Sequence, residues 1–283
     1  LKLAIATAAA LCSLQASADE FKINRLFVVG DSLSDGGAYT GTATQGLLGA
    51  GVPAGAIPNR MMFTTNSPNA KIWASVVAEK LGIPLDVDVI NGVSNTINGG
   101  NYAQGGSRVS NPIGVSNNPA IGITTIPVTE QIDRLLADTP TFNRNDLVAL
   151  WAGSNDGFIQ FATVAVGAIT PQVALAEMST AATQLLAQID RLKAAGAQNI
   201  VVITVPNLGV TPQAQIIEDG SVSGTPAPGS IALLTALSDS FNNTLTSAAA
   251  SKGAVIVDSN KLLSAVIANP ARYGFTSPTP LQA

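Results

Sequence analysis

The sequence predicts an α/β protein, a parallel sheet covered by helices on both faces. Three observations lead there. Short β-branched runs alternate with longer stretches of helical apolar spacing, the pattern that lays helices on a parallel sheet. The strand runs are apolar throughout, as in Leu26-Phe27-Val28-Val29, which suits strands buried on both sides. The 283 residues are 46% hydrophobic and 11% charged, enough apolar mass for one large core and too much for disorder.

The elements follow in order. Leu26 to Val29, closed by Gly30, is a first strand. Asn69 to Leu81 has helical spacing in Ile72, Trp73, Val76, Val77 and Leu81, and Gly82 stops it. Val87 to Ile90 is a second strand. Thr129 is placed to cap a helix carrying Ile132, Leu135 and Leu136. Asp146 precedes a third strand, Leu147 to Trp151. Thr170-Pro171 opens a long helix with proline at its first position, and Gly196 ends it. Ile200 to Val205 is a fourth strand, Ser230 to about Lys252 a helix, and Val255 to Val257 a fifth strand. Ser259 is placed to cap a last helix through Ile267, which Asn269-Pro270 stops. Three Gly-, Asn-, Ser- and Thr-rich stretches, 36–68, 91–125 and 206–229, read as long loops, and such loops in a compact domain tend to carry function.

Composition excludes several classes. With 14 basic against 18 acidic residues the net charge is −4, which does not suit a nucleic-acid binder. No apolar run reaches the roughly 18–20 residues of a membrane-spanning helix. The single cysteine, Cys12, permits neither a disulfide framework nor a thiolate metal site. There is no histidine.

Residues 1–18 read as an export signal. Lys2 is the basic head, Leu3 to Leu14 the apolar stretch, and Ala16-Ser17-Ala18 the small-residue cleavage pattern. The expectation is a secreted or periplasmic protein whose mature domain is 19–283 and contains no cysteine. The chain begins with Leu1 rather than Met, which fits either an unusual start codon or a record incomplete at that end.

Three segments beside the sheet carry chemistry. Gly30-Asp31-Ser32-Leu33-Ser34-Asp35 leaves the first strand where an α/β sheet presents reactive groups. Ser32 there offers a hydroxyl nucleophile, although by itself the segment reads more readily as a helix cap or part of a phosphate cradle. Asn101-Tyr102-Ala103-Gln104-Gly105-Gly106-Ser107 brings paired glycines that expose backbone N–H groups; alone it is only a tight turn. Gly153-Ser154-Asn155-Asp156 puts an amide at the exit of the third strand, as an oxyanion donor or as an Asx-turn or helix cap. Together the segments offer a nucleophile, a backbone donor and a side-chain donor, the set that acyl transfer requires.

On these residues the chain resembles the GDSL, or SGNH, family of lipases and esterases. Gly30-Asp31-Ser32-Leu33-Ser34-Asp35 matches its first block, Asn101 with Gly106 its second, and Gly153-x-Asn155-Asp156 its third. Phe63-Thr64 to Trp73, Thr129-Glu130-Gln131-Ile132-Asp133, and Asn269-Pro270 to Phe275 resemble the secreted bacterial lipase/phospholipase branch. The resemblance implies Ser32 as nucleophile and Gly106 N–H and Asn155 as oxyanion donors, with the N–H of Ser32 as a further donor. It implies a flavodoxin-like three-layer sandwich on a five-stranded parallel sheet. The substrate would be a small-molecule or lipid ester, with no metal or organic cofactor.

The family's last block, Asp-x-x-His, supplies the general base, and this sequence has none. Asp31, Asp35 and Asp156 are the carboxylates nearest in sequence, read as holding loops rather than acting as base. Without a base a serine hydroxyl is a weak nucleophile, so the 283-residue chain is expected to be nearly inactive. The favoured explanation is a fragment, C-terminally incomplete, lacking that block and a final helix and therefore poorly soluble. A membrane barrel, which some exported members carry, would follow Ala283. The alternative is a catalytically inactive ester- or glycan-binding module on the same fold. A nucleotide or phosphate binder is disfavoured, because Gly30-x-Ser32 is not a P-loop.

Overall fold

The computed structural model describes residues 22–40, 51, 53, 71–88, 99–115, 125–221 and 224–275. The export signal expected over 1–18 lies outside them, as do most of the stretch 36–68, the later part of the strand expected at 87–90, and 116–124.

Among the described residues all strand pairings are parallel. The strands are β1 (Arg25–Gly30), β2 (Asp86–Val87), β3 (Gly100–Asn101), β4 (Asp146–Trp151), β5 (Asn199–Ile203) and β6 (Ala254–Val257). Their order is β2-β3-β1-β4-β5-β6, six strands among the described residues where the resemblance implied five. The extra strand is two residues, inserted between β2 and β1 and in register with Phe27 and Val28. Without it the order is the flavodoxin-like 2-1-3-4-5.

Alternation along the strands divides the core. Phe27, Val29, Val148, Leu150 and Val202 face one side. There they meet helices α2 (Val128–Asp138), α3 (Ser154–Ala165), α4 (Pro171–Ala194) and α6 (Ser230–Ala249), through residues such as Ile132, Met178, Leu185, Leu234 and Phe241. Leu26, Val28, Leu147, Ala149, Val201 and Ile203 face the other side, with Ile72, Trp73 and Val77 at and in helix α1 (Trp73–Leu81). At the start of the central pair, Arg25 makes a two-pronged ion pair to the buried Asp146, Nε to Oδ1 at 2.9 Å.

Helix ends follow local chemistry, with two corrections. Thr170 caps α4, its side chain accepting the Val173 N–H at 3.4 Å, ahead of Pro171. Gly82 closes α1 with φ 68°. Thr129, expected to cap α2, lies inside its first turn, and Pro127 holds the cap position. Asp258 rather than Ser259 caps helix α7 (Ser259–Ala268), accepting the Lys261 N–H at 2.8 Å. The Ser259 hydroxyl is drawn away to the Thr204 carbonyl, at 2.5 Å. The stretch 206–229 is not all loop: it holds a 3₁₀ turn (Leu208–Val210) and helix α5 (Pro212–Asp219), again opened by Thr-Pro.

Candidate active site

The chain leaves β1, runs out to β2 and β3 on one side, then returns to β4 on the other. The carboxyl ends of β1 and β4 are thus the switch point, where such sheets open a crevice. Ser32 follows β1 and Asn155 follows β4.

Ser32 lies in a turn, not at a helix start. The Ser34 N–H donates to the Asp31 carbonyl at 3.0 Å, and the Leu33 N–H to Asp31 Oδ1 at 3.0 Å. The Ser32 side chain is half-buried, and its hydroxyl makes no hydrogen bond among the described residues. The turn itself is pinned on both sides. Asp31 N–H donates to the Trp151 carbonyl at 3.2 Å, and Asn101 Nδ2 donates to the Ser34 carbonyl at 2.7 Å. Trp73 Nε1 donates to Ser34 Oγ at 3.1 Å.

The second segment lies along β1. Tyr102 N–H donates to the Val28 carbonyl at 2.8 Å and Gln104 N–H to the Gly30 carbonyl at 3.1 Å. Asp35 holds the glycine turn to the Ser32 turn: Oδ2 accepts the Gly105 N–H at 2.7 Å, while Oδ1 accepts those of Gly37 and Ala38. Gly106 has φ 84°, a left-handed conformation that glycine adopts without steric cost. Its N–H has no acceptor among the described residues.

The third segment is the first turn of α3 rather than a loop. Asn155 is 7% exposed and donates one amide hydrogen to the Ser107 carbonyl at 2.8 Å; the other finds no acceptor among the described residues. Asp156 accepts from Arg108 Nε and from the Val109 N–H, each at 3.0 Å. The three sequence blocks therefore converge, the first on the second through Asp35 and Gly30, the second on the third through Ser107 and Asp156.

Three buried carboxyls stand around this end of the sheet, and burial pushes all of them up from the ordinary carboxylate value. Asp31 reaches about 7; loss of water is the main cause, the Leu33 N–H opposes it, and the charges of Asp156 and Asp35 add to it. Asp35 is raised against the pull of its three backbone donors, and Asp156 against that of Arg108. As expected, Asp35 and Asp156 hold loops. Asp31 does so with one oxygen only, since its buried Oδ2 has no partner among the described residues.

One residue carries more of the site than its place in the sequence announced. Gln131 is fully buried on the apolar face of α2, beside Val128, Ile132 and Leu135. Its signal in the sequence is that break of polarity at helical spacing in an otherwise apolar stripe. Among the described residues, no group of three or more acidic or cysteine side chains is placed to hold a metal ion. No described helix is long and apolar enough to cross a membrane.

Among the described residues the sheet is parallel throughout, and Ser32 stands at its switch point, the architecture of the α/β proteins. A sequence model of the GDSL-like lipase/acylhydrolase family matches residues 26–281, and the chain belongs to that family, one of esterase- and lipase-type hydrolases. It is similar to "Lipase 1" of Photorhabdus luminescens, 26% identical over 202 residues, covering 71% of this chain and 25% of that protein. It is also similar to "Uncharacterized protein in trpE-trpG intergenic region" of Pseudomonas putida, 27% identical across 98% of this chain and 43% of that protein. The chain thus spans less than half the length of the curated relatives it matches.

Proposed function

We propose that the protein is an exported serine ester hydrolase acting on lipid or small-molecule carboxylic esters through an acyl-enzyme on Ser32. The observation that carries this is the Ser32 hydroxyl, without a hydrogen-bond partner among the described residues, on a pinned turn at the switch point. Ser32 Oγ attacks the ester carbonyl carbon, and the carbonyl π electrons move onto oxygen. Gly106 N–H and the second hydrogen of Asn155 Nδ2 donate to that oxyanion. Collapse expels the alcohol, and water then releases the acid from Ser32. The similarity to a protein named Lipase 1 and the family match agree with this chemistry. Export rests on the pattern of residues 1–18.

The mechanism needs a base to take the serine proton, and the chain has no histidine. In this reading the base belongs to the Asp-x-x-His block that the resemblance implies, on a longer polypeptide of which these residues are part. The test uses the chain as it is, with imidazole added to serve as the base. Imidazole should raise the rate of 4-nitrophenyl acetate hydrolysis above that of a Ser32→Ala variant in the same buffer, with an acetyl group found on Ser32 by mass spectrometry. Asn155→Ala should lower the Ser32-dependent rate by about 10²–10³. The absence of histidine also favours a second reading, an inactive ester-binding module. Ester binding unaffected by Ser32→Ala, with no acyl-enzyme in imidazole, would establish that one instead.

A further inference from the structure

We infer that Gln131 is a positioning residue for the acyl transfer proposed above, one amide that sets the nucleophile's strand against the loop carrying the oxyanion donor. The inference rests on that reading of Ser32, Gly106 and Asn155.

Gln131 is 0% exposed, and a buried amide is tolerated only when its polar atoms are paired. Here the pairing is specific. Gly30 N–H donates to Gln131 Oε1 at 2.8 Å, and Gln131 Nε2 donates to the Gly30 carbonyl at 2.9 Å. A single residue of β1 is thus gripped on both its donor and its acceptor. Since Gly30 needs an acceptor and a donor at once, the amide orientation is fixed by its partners. On this edge of β1, Tyr102 and Gln104 supply N–H donors to Val28 and Gly30. The N–H of Gly30 finds its acceptor on Gln131, so the side chain takes the place of ladder that the two-residue β3 does not provide.

The same Nε2 also donates to Ser107 Oγ at 3.1 Å. Ser107 Oγ donates onward to the Ile126 carbonyl at 2.7 Å, and the Ser107 carbonyl accepts from Asn155 Nδ2 at 2.8 Å. Gly30 lies two residues before Ser32, and Ser107 follows Gly106. The run Gly30, Gln131, Ser107, Asn155 therefore reaches all three groups of the reaction without Gln131 being one of them. A shift of about 1 Å between nucleophile and donors is enough to cost a large factor in rate.

The experiment compares Gln131→Glu and Gln131→Met with the parent chain in imidazole, by Ser32-dependent ester hydrolysis, thermal unfolding and amide hydrogen exchange. Gln131→Glu keeps the volume and the acceptor for Gly30 N–H. Its carboxyl is raised by burial and regains a donor only when protonated. The expected result is a kcat loss of about 10-fold or more with KM within about twofold, the ratio to the parent falling as pH rises from 6 to 9. Taking that ratio cancels the titration of imidazole. In Gln131→Met, exchange should rise together in peptides covering 26–35 and 102–109 and stay unchanged in 199–205. Parent-like kcat in both variants overturns the inference while leaving the hydrolase reading intact. Absence of Ser32-dependent turnover in the parent overturns the hydrolase reading. Exchange then judges the clamp alone, and a rise confined to one of the two segments overturns it.

Discussion

Among the described residues the Ser32 hydroxyl has no hydrogen-bond partner, while the groups on either side of it are engaged. Asp31 Oδ1 takes the Leu33 N–H, Ser34 Oγ takes the Trp73 indole N–H, and the Ser34 carbonyl takes the Asn101 amide. Gly30 sets the approach of the turn. A Cβ there would stand 2.3 Å from the Trp151 carbonyl oxygen, which is backbone and cannot swing aside. Gly30→Ala should therefore push β1 from β4 at the point where Ser32 leaves the sheet. The expected cost is about 3 kcal/mol, measured by urea unfolding, with loss of Ser32-dependent turnover under conditions where the variant is still folded. A variant of parental stability and turnover would mean that the strand exit tolerates displacement.

At the scale of elements, α3 delivers Asn155 and Asp156 from one turn, and Asp156 carries the tie to the loop after Gly106. Its partner Arg108 is 11% exposed in its side chain, and Asp156 5%. Removing the arginine strands a buried carboxyl that keeps the Val109 N–H, so Arg108→Ala should cost about 3–5 kcal/mol. The double variant Arg108→Met/Asp156→Asn removes the stranded charge as well and should lose less. Equal losses in denaturant would show that packing, not charge, sets the cost. These elements also show what the sequence could and could not tell. Strands built of Val, Ile and Leu were legible, because apolar runs between Gly and Asp have few other uses. β3 was not: Gly100-Asn101 has no strand composition and pairs only because β1 offers it an edge. Thr129 and Ser259 suit a cap by residue type, but Pro127 and Asp258 lay one or two residues earlier and took the position. Ser32, Gly106 and Asn155 stood out as blocks of glycine and polar residues at strand exits. Gln131 looks like helix text, since the partners that tie it to the site, Ser107 and Gly30, lie 24 and 101 residues away in sequence.

At the scale of the whole molecule, the site end of the sheet gathers acid without enough base. Asp31, Asp35 and Asp156 are all buried and all raised, each chiefly by loss of water. The sign of the consequence follows from proton binding. The folded state holds these protons more tightly than the unfolded chain does, so stability falls as pH rises. For Asp31 the contribution is complete below the unfolded value of 3.8 and is lost as the pH climbs through about 7. A shift of that size corresponds to something on the order of 4 kcal/mol. Asp31→Asn keeps an oxygen for the Leu33 N–H and cannot ionise. Its melting temperature should lie near that of the parent at pH 4 and rise progressively above it toward pH 8. The sequence isoelectric point is near 4.7, so the pH range that favours the fold also brings the net charge close to zero, where proteins associate most readily. Melting is therefore best followed at low concentration. A difference between variant and parent that stays constant from pH 4 to pH 8 would mean that Asp31 is ionised in the folded protein throughout.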